Sequence, residues 1–99
     1  MNQLIVNPTF ISGVFYFTRH PLSDSRGLFE RLFCSDSLSD CFDEFSVKHV
    51  NHSITHDVGS IRGMHYQLPP FAEKKILMCI NGAVWDVAVD MRPNSKTFL

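Results

Sequence analysis

The stretch Gly59 to Gly82 gathers the residues best suited to chemistry: G-S-I-R-G-M-H-Y-Q, then L-P-P-F-A-E, then K-K-I-L-M-C-I-N-G. It places one imidazole, His65, between two cations, Arg62 and Lys75. Imidazole is the side chain whose ordinary pKa lies near neutrality, so His65 is suited to take and return a proton. Arg62 and Lys75 can stabilise an oxyanion that forms as that proton leaves, Arg through a bidentate fork and Lys as a point charge. Together they suit proton abstraction beside a carbonyl.

The elements that must position these groups read as strands and turns. Side chains alternate along a strand, so Ile61, Gly63 and His65 face one way and Arg62, Met64 and Tyr66 the other. Arg62 and His65 share a face only if the backbone bends between them, and Gly63 is the residue to supply the bend. Leu68-Pro69-Pro70 cannot continue a central strand, so the chain must turn there. A second strand is expected from Lys75 to Ile80, ending at Asn81-Gly82, a strong hairpin signal, with a return strand over Ala83 to Asp90.

Earlier in the chain, Gly13 to Thr18 is β-branched and aromatic and predicts a strand. His20 to Gly27 is rich in turn formers and predicts a loop, after which Leu28 to Phe33 resumes an apolar alternation. Ser35 or Asp36 is placed to cap a short helix running through Phe42. Phe45 to Ser53 reads as another strand, and His56 to Gly59 as a tight turn. Short strands joined by turns predict an all-β sandwich or barrel with one short helix.

At these positions the sequence resembles the dTDP-4-dehydrorhamnose 3,5-epimerase family, cofactor-free sugar epimerases with a cupin jelly-roll fold. The matching pieces are D-S-R-G at Asp24 to Gly27, N-H-S at Asn51 to Ser53, R-G-M-H-Y-Q at Arg62 to Gln67, Lys75, and D-V-A-V-D at Asp86 to Asp90. Their order and spacing fit the family from about Gly13 onward and cover about the first half of a typical member. The resemblance implies removal of a proton next to the 4-keto group of a dTDP-4-keto-6-deoxyhexose. It implies His65 as base, Lys75 as its catalytic partner, and Arg62, Asn51 and Arg26 as contacts of the nucleotide-sugar. His49, two residues before Asn51, stands where the family usually has glutamine and is included in the substrate-binding set. Arg31 replaces a usual glutamate five residues after the loop arginine, leaving Glu30 as the nearby carboxylate.

In the family, the tyrosine acid across the sugar ring and the aspartate that orients the histidine lie in the second half. Tyr16 and Tyr66 do not match that acid, nor Asp86 and Asp90 that aspartate. The expected architecture is therefore a single partial domain over residues 1–99, an apparently truncated jelly roll. The alternative function is a truncated, catalytically inactive member that serves binding or assembly. A homodimer is expected, since a half-barrel leaves strand edges and apolar surface to cover.

Composition limits the other classes. The 99 residues, 44% hydrophobic with a formal net charge of -1, suit one globular domain. No basic run is present to neutralise a phosphate backbone, so nucleic acid is not an expected partner. No segment reaches membrane-spanning length, and the N-terminus lacks the basic and apolar regions of a signal peptide. The Asn51-His52-Ser53 glycosylation pattern is read as chance. The 3 cysteines are Cys34, Cys41 and Cys79, and they form no C-x-x-C pair. A disulfide framework is thus not indicated, and a reducing cytoplasm is the expected setting. His49, His52, His56 and His65 invite comparison with metal-binding cupins, whose pattern resembles G-x5-H-x-H. Here Gln67 replaces the second histidine and Lys75 stands where an acid is needed, so no metal or other cofactor is expected.

Overall fold

The structure, a computed structural model, describes residues 4–39, 41–44 and 46–99. The chain divides into two compact units, one formed by Met1–Lys48 with Ala88–Leu99 and the other by His49–Val87.

The first unit holds all of the regular structure found among the described residues. Strand β1 (Ile5–Pro8) pairs antiparallel with β2 (Phe15–Thr18), in the register Ile5 opposite Thr18 and Pro8 opposite Phe15. The expected strand over Gly13 to Thr18 is thus present, shortened at its start because Gly13 belongs to the connecting turn. Thr9 builds that turn: its Oγ1 donates to the Val14 carbonyl at 2.8 Å and accepts from the Ile11 amide at 3.2 Å. Asn7 Nδ2 ties the strands side by side by donating to Thr18 Oγ1 at 2.8 Å. Along β2, half-buried Phe15 and Phe17 alternate with exposed Tyr16 and Thr18, the period of two that a one-sided sheet requires.

Strands β3 (Leu22–Asp24) and β4 (Gly27–Phe29) form a second antiparallel pair around the two-residue loop Ser25-Arg26. The segment expected as a loop, His20 to Gly27, is therefore largely a hairpin. Turn-forming residues marked its tip correctly, but the short flanking pairs are set by backbone bonding that composition does not reveal.

Helix α1 (Ser35–Leu38) is a single turn. Cys34 occupies the N-cap position without a side-chain capping bond, so neither Ser35 nor Asp36 caps it. The amides of Cys41 and Phe42 both donate to the Leu38 carbonyl, at 2.9 and 3.1 Å; Asp40, within the expected helix, lies outside the described residues. Among the described residues Leu38 is the most deeply buried apolar side chain, at 1% exposure, joined in the core by Leu4 and Ile11. The rings of Phe15 and Phe42 meet edge to face, 6.2 Å between centroids.

Asp90 anchors the end of the chain. Its backbone bridges Phe98, and its carbonyl accepts the Leu99 amide at 2.9 Å. Arg92 reaches from there to the β1–β2 connection, where Nη2 donates to the Ser12 carbonyl at 2.7 Å.

The second unit is built from turns. Ser60 closes a turn back on the Asp57 carbonyl through its Oγ at 2.8 Å, as the sequence predicts for the preceding tetrapeptide. The Phe71 amide donates to the Leu68 carbonyl at 2.8 Å, giving the expected turn at the double proline. The expected strands over Lys75 to Ile80 and Ala83 to Asp90 carry no strand ladder, Asp90 making an isolated bridge to Phe98, and neither do Ser46 to Ser53 or Ile61 to Gln67. Phe45 lies outside the described residues. A strand needs a partner to receive its backbone groups, and apolar propensity alone does not supply one. Apolar side chains such as Trp85, 94% exposed, remain outside the core. Among the described residues no helix is long and apolar enough to cross a membrane.

Candidate functional site

Five of the six candidate residues lie in the second unit: His49, Asn51, Arg62, His65 and Lys75. All five are exposed. The expected bend between Arg62 and His65 is present, since Gly63 has φ +109°, a backbone conformation that side chains with a Cβ rarely adopt. The His65 ring lies over this residue, with Nδ1 3.4 Å from where a Cβ at position 63 would sit. A Cβ there would touch the imidazole at ordinary van der Waals distance, so glycine is called for by the bend.

Among the described residues no hydrogen bond or ion pair joins His65, Arg62 and Lys75 to one another. Lys75 Nζ lies instead 3.8 Å from Glu73 Oε1, with both side chains about half exposed. Such a pair is worth about 0–1 kcal/mol, so it holds Lys75 only loosely. Among the described residues no three His, Cys, Asp or Glu side chains gather to hold a metal ion.

The sixth candidate, Arg26, sits at the tip of the β3–β4 hairpin in the first unit. Its amide donates to Asp24 Oδ1 at 2.8 Å, its Nε to the same oxygen at 3.4 Å, and its Nη2 to Asp24 Oδ2 at 2.7 Å. The Arg26 guanidinium, and then its amide, hold the Asp24 carboxyl below the usual carboxylate range, and Asp24 in turn raises Arg26. Glu30, beside the Arg31 that stands in place of the family's usual glutamate, is engaged by Arg19 Nη1 at 3.4 Å.

The sequence reading missed a second Asp-x-Arg unit, Asp90-Met91-Arg92, with the same geometry. The Arg92 amide and Nε donate to Asp90 Oδ1 at 3.0 and 2.8 Å, and Nη2 donates to Oδ2 at 3.0 Å. Two hydroxyls complete it, Ser95 Oγ at 2.5 Å and Thr97 Oγ1 at 2.6 Å, both donating to Oδ2. Led by Arg92, these donors push the Asp90 carboxyl far below its ordinary range. Its side chain is 1% exposed, a buried charge made tolerable by full pairing. The signal was the repeated D-x-R spacing, which was singled out only at Asp24.

Two further features lie outside the candidate set. The Cys34 thiol is lowered from its ordinary value, first by the Ser37 hydroxyl and then by the Ser37 amide. A shallow cleft of about 350 Å³ between Phe33, Ser35, Ser39, Phe42 and Val47 contains none of the candidate residues.

The chain has two short antiparallel strand pairs, and its motifs are those of a sugar-epimerase sequence. The sequence profile of dTDP-4-dehydrorhamnose 3,5-epimerase matches residues 8–99, and the chain belongs to that family. It is 37% identical over 98 residues to a dTDP-4-dehydrorhamnose 3,5-epimerase of Sinorhizobium fredii, a match covering 99% of this chain and 50% of that protein. Against the protein of the same name from Shigella flexneri it is 39% identical over 92 residues, 91% of this chain and 50% of the relative. A dTDP-4-dehydro-6-deoxyglucose 3-epimerase of Streptomyces bikiniensis is 35% identical over 96 residues, covering 94% of this chain and 47% of that protein. The chain thus spans about half the length of the relatives it matches. No solved structure gives a significant match.

Proposed function

We propose that this protein acts on a dTDP-4-keto-6-deoxyhexose as an epimerase-type proton-transfer catalyst, without a resident cofactor. The observation that carries the reading is membership of the epimerase family over residues 8–99. His65 takes the proton from the carbon beside the 4-keto group. The C–H electron pair moves into the carbonyl to give an enolate, and Lys75 and Arg62 stabilise the negative oxygen. Return of a proton to the other face of that carbon inverts it. Arg26, His49 and Asn51 hold the nucleotide-sugar, Arg26 at the phosphates.

The bend at Gly63 supports the base assignment, because it releases His65 from the strict alternation that would oppose it to Arg62. The loose attachment of Lys75 to Glu73 leaves the ammonium able to turn toward substrate. We read residues 1–99 as a single domain of the cupin jelly-roll type that works as a homodimer in the cytoplasm. The exposed apolar side chains of the second unit and the three unbridged cysteines are consistent with that setting. The test is exchange of the sugar's C3 and C5 protons with solvent. Folded protein that exchanges neither is a binding or assembly member of the family.

A further inference from the structure

The two Asp-x-Arg units are an internal comparison within one chain. In both, Oδ1 of the aspartate accepts the arginine amide and Nε, while Oδ2 accepts Nη2. This engages one edge of the guanidinium and turns the other edge, between Nη1 and Nη2, away from the carboxylate. At Arg92 that outer edge has an acceptor, the Ser12 carbonyl at 2.7 Å from Nη2. At Arg26 it has none among the described residues, and the side chain is 88% exposed. Beside it, a Cβ at Gly27 would meet nothing within 4 Å, so the space at the hairpin tip is open.

We propose that Asp24 is a positioning residue that clamps Arg26 so that its outer guanidinium edge receives the oxyanion of a nucleoside diphosphate. The inference rests on the nucleotide-sugar reading above and extends it to a residue that touches no substrate. Asp24 fixes the arginine before the ligand arrives, so ordering of the long side chain is not charged against binding. It does so at an electrostatic cost, because a carboxylate beside the phosphate repels it. The two effects have opposite signs. Removing the carboxylate tightens a site that acts through charge alone and weakens one that acts through orientation.

The experiment is titration of the full chain with dTDP, and with thymidine as the phosphate-free control, for the unsubstituted protein, Asp24→Asn, Arg26→Lys and the double variant. Backbone amide spectra of β1 and β2 report that each variant is folded. Asp24→Asn should weaken dTDP binding about three- to tenfold and leave thymidine unchanged. Arg26→Lys keeps the charge but loses the fork and should weaken dTDP by a similar factor. Adding Asp24→Asn to it should then cause no further loss. Equal or tighter dTDP binding by Asp24→Asn overturns the positioning role. Should Asp24→Asn not fold, unchanged dTDP affinity in Arg26→Lys overturns it. Absence of dTDP binding by the unsubstituted protein overturns the nucleotide reading, and the proposal falls with it.

Discussion

His65 packs against Gly63: its Nδ1 lies 3.4 Å from where a Cβ at position 63 would sit, an ordinary van der Waals distance, so the demand for glycine comes from the backbone. Gly63→Ala meets an unfavourable φ of +109°. The backbone cost is about 1–2 kcal/mol, and it falls on the segment that aims the proposed base. Exchange activity is expected to drop at least tenfold, while the amide spectrum of the β1–β2 pair in the other unit stays unchanged. An active Gly63→Ala protein would show that the bend does not position the histidine.

The Lys75–Glu73 pair should have little weight in stability and none in catalysis. Glu73→Gln is expected to shift the urea-unfolding free energy by less than about 1 kcal/mol and to leave proton exchange intact. Lys75→Met should be equally harmless to folding yet slow exchange at least a hundredfold, since it removes a cation from the enolate. Equal activity of the two variants would remove Lys75 from the mechanism.

Asp90 gives a stability prediction with a defined pH dependence. Its folded pKa is depressed far below that of an ordinary aspartate, so its contribution is fully present above the unfolded value and is lost as pH falls toward the folded pKa. Asp90→Asn should therefore lower the midpoint of urea unfolding by a constant amount between about pH 5 and 7. The gap between the two proteins should narrow below about pH 4. A gap that widens on acidification would contradict the bonding pattern around the carboxylate.

Cys34 should ionise more readily than an ordinary thiol. The Ser37 hydroxyl stabilises its thiolate, so the pH profile of Cys34 alkylation by iodoacetamide should move up in Ser37→Ala. Coincident Cys34 profiles in the unsubstituted protein and Ser37→Ala would refute the contact.

What the sequence disclosed, it disclosed through local chemistry. The β2 strand was legible because F-Y-F-T carries β propensity and a period of two, and the turns at Asp57 and at Pro69-Pro70 because their residues restrict the backbone. The bend at Gly63 was legible for the same reason. The β3–β4 hairpin was not, because Ser, Asp and Gly signal a tip without saying whether the flanks pair. The strands expected after Lys75 were read from apolar runs, and pairing depends on what lies opposite. Among the candidate residues, Lys75 was read as a cation for a developing oxyanion, and its pairing with Glu73, two residues away, was not foreseen. The Asp90–Arg92 network escaped notice because its completion by Ser12, Ser95 and Thr97 is a tertiary fact.

The most direct test of the central claim is deuterium uptake from heavy water into dTDP-4-keto-6-deoxyglucose, followed by NMR, with the unsubstituted protein and His65→Ala compared at equal concentration. Uptake at C3 or C5 that falls to the buffer rate in His65→Ala is the predicted result. Uptake that survives the substitution would remove His65 as the base, and no uptake by folded, unsubstituted protein would contradict the enzymatic reading altogether.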